Sequence, residues 1–113
     1  MPYALCDLLN RKGALIMIER HVTFNVIPGK EKDFEKLFKE EYSVAMSKQV
    51  GFVSVTLLKE HEKEAVYHMV IRFQSLETAA AWRDSANHKA LSPKIKTLYK
   101  ESTVQVYEVI FQK

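Results

Sequence analysis

Three segments predicted to be β-strands carry bulky apolar side chains at both alternating positions. These segments are residues 52–58, 65–74 and 103–111. Because successive side chains of a strand point to opposite faces, both faces of the predicted sheet are partly apolar. Two helices cover one face only, and leaving about four to six such side chains in water would cost about 1.5 to 3 kcal/mol each. We therefore predict that a second copy covers the other face through a mainly apolar interface, which makes the protein a homodimer.

The order of the predicted elements defines the fold class. They are a strand over 16–27, a helix over 30–47, strands over 52–58 and 65–74, a helix capped by Ser75, a further helical turn from Ser92 and Pro93 to Tyr99, and a strand over 103–111. This order predicts an α+β, ferredoxin-like βαββαβ fold, with a four-stranded antiparallel sheet and both helices on one face. Two such sheets packed face to face would form a dimeric α/β barrel.

The first sixteen residues are predicted to lie outside this fold. Ala4, Leu5, Leu8 and Leu9 recur at helical spacing, and Gly13 follows where a helix would end. We interpret residues 1–16 as a short N-terminal helical extension and residues 17–113 as the domain.

Length and composition exclude several classes of protein. The chain has 113 residues, which is enough for one domain but not for a separate nucleotide-binding lobe. Its net charge of +3 comes from interleaved charges, so we expect no nucleic-acid partner. A faint echo of an RNA-recognition signature at 51–53 falls on the wrong strand. No apolar stretch is long enough for a signal peptide or a membrane span, so cytoplasm is the expected compartment.

Metal and nucleophilic chemistry are not indicated either. The chain has a single cysteine, Cys6, and its four histidines are scattered without ligand spacing. No serine and histidine are marked as a pair by a motif. We expect neither a metal site nor a bound cofactor.

The segment from Phe73 to Leu91, which reads FQSLETAAAWRDSANHKAL, resembles the third strand and second helix of the antibiotic biosynthesis monooxygenase family. The first strand and the turn at 28–30 are similar to the opening of that family, and the likeness covers roughly residues 17–111. It implies a dimeric α/β barrel and oxygenation without flavin or metal. The implied substrate is a small aromatic of quinol, anthrone or polyphenol type, whose anion reduces dioxygen directly.

Such a reaction requires a base, hydrogen-bond donors and aromatic walls that exclude water. Trp82 lies on the helix that resembles the pocket wall of the family, where it either stacks on substrate or anchors the helix to the sheet. His88 follows six residues later, nearly two helical turns, and is a candidate for proton transfer. Its alternative role is to end a helix.

Two polar stripes are further candidates. His21, Thr23 and Asn25 share one face of the first strand, and His68 and Arg72 share one face of the third. If the stripes meet, His21 and His68 form a proton-handling pair, with Arg72 stabilising an oxyanion and Asn25 binding substrate. Otherwise they are satisfied polar groups inside the barrel. Tyr67 and Tyr107 are predicted on the opposite face, as a second pocket wall or as core.

A haem-degrading subgroup of the family combines a strand-one asparagine, a tryptophan on the second helix and a ligating histidine ten residues after it. Trp82 matches, but Ser92 stands at the ligand position and Asn25 is three residues from the expected one, where Val22 stands. A non-catalytic, ligand-binding or stress-related dimer is the other alternative.

Overall fold

The computed structural model describes residues 16–113, so the predicted N-terminal extension lies outside the described residues. The strands are β1 (Ile18–Val26), β2 (Phe52–Lys59), β3 (Val66–Phe73) and β4 (Tyr99–Glu108). The helical segments are α1 (Glu31–Leu37), a π-helical turn (Phe38–Tyr42), α2 (Ser43–Ser47), α3 (Leu76–Arg83) and α4 (Ala86–Lys96). The predicted βαββαβ, ferredoxin-like order is confirmed.

The sheet is antiparallel in the order β2-β3-β1-β4, so β1 and β3 are neighbours as expected. On β1, Ile18, Val22, Phe24 and Val26 are buried, and they face the helices. The opposite face, which we call the open face, carries Glu19, His21, Thr23 and Asn25 of that strand. Cross-strand partners share a face, so the register assigns every other side chain of the sheet.

This assignment corrects two predicted faces. A register shift lies between Phe52 and Ser54, so Phe52 packs against the core together with Val55 and Leu57 instead of opposing them. One extra residue in a strand reverses the alternation on one side of it. On β4, Tyr107 is paired with Glu19 and therefore lies on the open face, which is the face of His68 and not the opposite one.

The open face carries four apolar side chains of the sheet, which agrees with the predicted four to six. They are Leu58, Val66, Val70 and Tyr107, and the whole of its β1 row is polar. Val104 and Val106 of β4 lie on the helix face and are 48% and 54% exposed. Exposed apolar surface is therefore present both on the open face and along β4.

The helical layer differs from the prediction at Ser92 and Pro93. Pro93 lies inside α4, and Ser85 caps this helix by accepting a hydrogen bond from the backbone N–H of His88 at 3.1 Å. Pro93 has no N–H, so the carbonyl of Lys89, four residues earlier in α4, lacks its usual intrahelical partner. Ser75 caps α3 as predicted and accepts from the backbone N–H of Thr78 at 3.1 Å.

Among the helices of residues 16–113, none has the length and apolar character needed to cross a membrane.

Candidate active site

A pocket of about 240 Å³ lies between the helices and the sheet. β1 and β3 form its floor, β4 forms one side, and α4 and the π-helical turn form its roof. The lining residues are Arg20, Val22, Phe24, Tyr42, Met69, His88, Ser92, Ile95, Lys96, Tyr99, Ser102 and Val104. Its volume lies below the range of about 300 to 1,000 Å³ typical of sites for drug-sized ligands, which favours a small occupant.

Arg20 is the charged residue in the floor of this pocket. It occupies the β1 face that otherwise holds buried apolar residues, opposite Ile71 of β3 and Val106 of β4. Its Nε is buried and has no hydrogen-bond partner among residues 16–113. Burial, followed by the nearby positive charge of Arg83, lowers the pKa of Arg20 below its usual range. An arginine in this position lacks the carboxylate that normally accompanies a buried guanidinium.

Tyr42 supplies an aromatic wall to the roof. It ends the π-helical turn, whose residues Phe38 and Tyr42 are both buried. Such turns insert one extra residue into a helix and are frequent at functional sites. Burial raises the pKa of Tyr42 to about 12, so its hydroxyl stays protonated and can donate a hydrogen bond at neutral pH.

His88 faces the same pocket from the first turn of α4 and is half-buried. Burial is the main cause that lowers its pKa below the usual 6.5, and the positive charge of Arg20 lowers it further. The ring is therefore neutral at pH 7 and has a nitrogen lone pair that can accept a proton.

Trp82 lies next to the pocket but does not line it. Its side chain is 1% exposed, and its ring stands edge-on to Tyr42, with centroids 5.6 Å apart, and to His88, with centroids 5.2 Å apart. Its indole N–H is buried and makes no hydrogen bond of ordinary geometry with residues 16–113. In this structure Trp82 supports two side chains that line the pocket, and a ligand would meet those side chains first.

The sheet separates His88 and Trp82 from the four candidates of the polar stripes, which lie on the open face. There Glu19 accepts hydrogen bonds from Arg72 Nε at 2.6 Å and binds His21 Nε2 at 2.5 Å. The bonds to His21 and Arg72 hold the pKa of Glu19 below its usual 4.5. The ring of Tyr107 packs on that of His21, with centroids 4.7 Å apart.

The second histidine of the open face has its own carboxylate. His68 contacts Glu60 Oε2 at 2.7 Å through Nε2 and the hydroxyl of Thr23 at 3.1 Å through Nδ1. Within the described part of the chain, no hydrogen bond joins the rings of His21 and His68, so each belongs to a separate hydrogen-bonded cluster. Asn25 donates to Glu101 Oε1 at 2.8 Å at the far end of the same face.

Tyr67, the remaining candidate, lies on the helix face but outside the pocket. It is 1% exposed, packs on Phe34 and donates a hydrogen bond to Glu35 Oε2 at 2.5 Å. Burial and the negative charge of Glu35 raise its pKa.

Two residues of the pocket were not among the predicted site residues, although the sequence carries a signal for each. Arg20 has the parity of the buried residues of β1, and an arginine in such a row is itself anomalous. Tyr42 continues the series Phe34, Phe38 and Met46 at intervals of four residues, which places it on the buried side of the helix. Ser92 also lines the pocket, so a hydroxyl stands where the haem-degrading subgroup has its ligating imidazole.

Within residues 16–113, no group of three or more histidine, cysteine, aspartate or glutamate side chains is arranged to hold a metal ion.

Comparison with known proteins identifies the family of the chain. A family model described as antibiotic biosynthesis monooxygenase matches residues 17–94. SnoaB from Streptomyces nogalater, described as a cofactor-independent oxygenase, superposes with a TM-score of 0.75 at 20% identity, over 81% of this chain and 91% of SnoaB. A conserved protein from Methanosarcina mazei superposes with a TM-score of 0.74 at 19% identity, over 83% of this chain and 93% of that one. No curated protein matches by sequence.

Proposed function

Because the chain belongs to the antibiotic biosynthesis monooxygenase family, we propose that it is a cofactor-independent monooxygenase of a small aromatic substrate of quinol, anthrone or polyphenol type. The observation that carries this proposal is the pocket between helices and sheet, in which a neutral histidine faces aromatic walls. The likeness to a cofactor-independent oxygenase supports the reaction class.

The reaction balances without a cofactor. An anthrone loses a proton to a base, and its anion transfers an electron to dioxygen. One oxygen atom then forms the new carbonyl of the anthraquinone, and the other leaves as water with the two hydrogens of the substrate methylene. The protein's task is to form the anion, hold it flat and keep bulk water away.

His88 is the base in this proposal. Its depressed pKa keeps the imidazole neutral, and its position in the roof brings it above the floor formed by Phe24 and Val22. Tyr42 and Tyr99 provide aromatic walls, and the protonated Tyr42 hydroxyl is a donor for a substrate oxygen. A positioned base of this kind contributes about 10²- to 10⁴-fold to a rate.

We also propose that the protein is a homodimer whose two open faces pack together. The charged groups of that face already have hydrogen-bond partners, Glu19 with Arg72 and His21, and Glu60 with His68. Glu101 at the far end accepts a hydrogen bond from Asn25, so covering the face leaves none of these carboxylates without a partner. The exposed apolar residues next to it support the same arrangement: Leu58 is 49% exposed, Tyr107 43%, Ile110 86% and Phe111 80%. A particle of one-chain mass in light scattering at micromolar concentration would contradict the dimer.

Oxygen consumption tests the proposed reaction. The wild type is supplied with a panel of hydroquinones and anthrones, and oxygen uptake is recorded beside His88→Ala and the matched control His61→Ala. His61 is an exposed histidine on a turn, so its loss removes an imidazole without touching the pocket. We expect at least a hundredfold loss in His88→Ala and no loss in the control.

The outcome also separates this function from the alternative of a binding protein without turnover. If no compound is consumed by the wild type, but one of them binds and protects the chain against thermal unfolding, the pocket is a ligand site and the oxygenase proposal fails. Equal rates in wild type and His88→Ala would leave the reaction class but remove His88 as its base.

A further inference from the structure

The charges around the pocket are of one sign. Arg20 and Lys96 line it, and among the described residues 16–113 no aspartate or glutamate does. The charged groups that shift the pKa of His88 are Arg20, Arg83 and Lys96, each of which lowers it. A small, half-enclosed pocket with this lining concentrates positive potential and attracts an anion.

The most enclosed of these cations has an unused hydrogen-bonding group. The Nε of Arg20 is buried without a partner, and within residues 16–113 no salt bridge neutralises its guanidinium. By contrast, Arg72, on the other face of the same sheet, binds Glu19 at 2.6 Å. Burying a guanidinium costs free energy unless a carboxylate or phosphate pairs with it. A ligand that carries such a group would supply the missing partner.

We infer that the substrate of this pocket carries a permanent negative charge, an aromatic carboxylate that Arg20 binds, in addition to the ring that reacts. A guanidinium matches a carboxylate through two parallel N–H···O bonds, which fixes the orientation of a flat ring. A neutral quinol would leave Arg20 uncompensated until it lost a proton, whereas a carboxylate compensates it from the moment of binding. This inference rests on the proposed function for the identity of the pocket as the substrate site.

The pocket volume is consistent with such a ligand. About 240 Å³ suits a small aromatic molecule with a small substituent. With the carboxylate on the floor at Arg20, the ring extends towards Tyr42 and His88 in the roof, where the proposed base acts. Arg20 is thus a specificity-determining residue, and its charge selects acids over neutral compounds of the same shape.

Calorimetric titration with a matched pair of probes tests the inference without turnover. The probes are 1-hydroxy-2-naphthoate and its methyl ester, which have the same ring and hydroxyl but differ in charge. We expect the acid to bind the full-length wild type about tenfold to hundredfold more tightly than the ester, the range that charge-assisted hydrogen bonds provide. In Arg20→Gln this preference should disappear through weaker binding of the acid, while binding of the ester is unchanged.

Two further variants separate charge from geometry. Arg20→Lys keeps the positive charge but loses the paired N–H donors of the guanidinium, so it should retain part of the preference for the acid over the ester. Lys94→Gln removes one positive charge from the exposed side of α4, where Lys94 contacts Glu41 Oε1 at 3.1 Å outside the pocket, and should bind both probes like the wild type. Near-UV circular dichroism establishes that each variant is folded.

The results that overturn the inference are distinct from those that overturn the oxygenase proposal. Equal affinity for acid and ester, equal weakening of both in Arg20→Gln, or no binding of the acid below about 1 mM would each refute it. Oxygen uptake with neutral quinols as fast as with their carboxylated counterparts would also refute it while leaving the oxygenase intact. Selective binding of the acid without oxygen uptake would support the inference and refute the oxygenase.

Discussion

The two faces of the sheet hold the same kinds of side chain in opposite electrostatic states. Each has an arginine, a tyrosine and at least one histidine. On the open face, Arg72 and His21 share the carboxylate of Glu19, and His68 has that of Glu60. On the helix face, Arg20 and His88 lie close to each other with no carboxylate in the pocket lining. Paired charges suit a surface that another chain covers, whereas an unpaired cation suits a pocket that a ligand fills.

This difference separates polar residues that stabilise the protein from those that are poised for chemistry. Glu19 and Arg20 are adjacent in the chain, yet one completes an ion pair on the open face and the other lies unpaired on the helix face. Residue type alone therefore does not identify a functional site in this fold. The face of the sheet on which a side chain lies, and whether it has a partner of opposite charge, distinguish the two cases.

The largest expected loss of stability is at Trp82, which packs behind the side chains that line the pocket. Trp82 is 1% exposed and packs on Tyr42 and His88, so Trp82→Ala should lower the free energy of unfolding by about 3 to 5 kcal/mol. Urea unfolding measures the change. Leu76→Ala on the same helix is the control, because Leu76 is 65% exposed and its loss should cost less than about 0.5 kcal/mol. Equal midpoints for the two variants would mean that Trp82 does not hold the helix face together.

Much of the fold could be predicted because its signals are local. The alternation in β1 assigned the faces of Ile18, Val22, Phe24 and Val26, and Ser75 marked the start of a helix. The failures have non-local causes. The register shift at the start of β2 depends on how that strand meets β3, and the parity of Tyr107 depends on its pairing with Glu19.

The candidate site was harder to predict because its residues come together from five elements. The spacing of Trp82 and His88 was interpreted as nearly two turns of one helix, but that helix is interrupted between α3 and α4. Their rings nevertheless meet because Ser85 starts the new helix directly. Whether His21 or Arg20 faces the pocket is decided by which side of the sheet the helices cover. A parity pattern gives the two sides but does not say which one holds the cavity.

The adjacent pair Glu19 and Arg20 offers the next test, with an intermediate effect. Glu19→Ala leaves Arg72 and His21 without their carboxylate and should lower the free energy of unfolding by about 1 to 3 kcal/mol, less where solvent screens the partly exposed His21. Arg20→Gln removes an uncompensated charge and should leave stability unchanged or raise it by up to about 1 kcal/mol. If both variants lost similar amounts of unfolding free energy at equal protein concentration, Arg20 would have to be paired. The two faces would then not differ in the way described.

The smallest expected effect concerns the protonation of His88. The groups that act on its ring are Arg20 from β1, Arg83 from α3, Lys96 from α4 and, as an aromatic neighbour, Tyr42 from the roof. Since the folded pKa lies below the unfolded value of about 6.5, the contribution of His88 to stability is fully present above that pH and is lost as pH falls through the folded pKa.

Removing the charge of Arg20 should move this pKa in a known direction. In Arg20→Gln one repulsive charge is gone, so the pKa of His88 should rise while burial still holds it below 6.5. Imidazole resonances followed by NMR against pH measure the change, and Lys94→Gln should leave them unaltered. If His88 is the base, the acid limb of the oxygen-uptake profile moves to higher pH by the same amount in Arg20→Gln. A limb that stays in place while the NMR pKa rises would assign the proton transfer to another group and leave Arg20 with its role in binding alone.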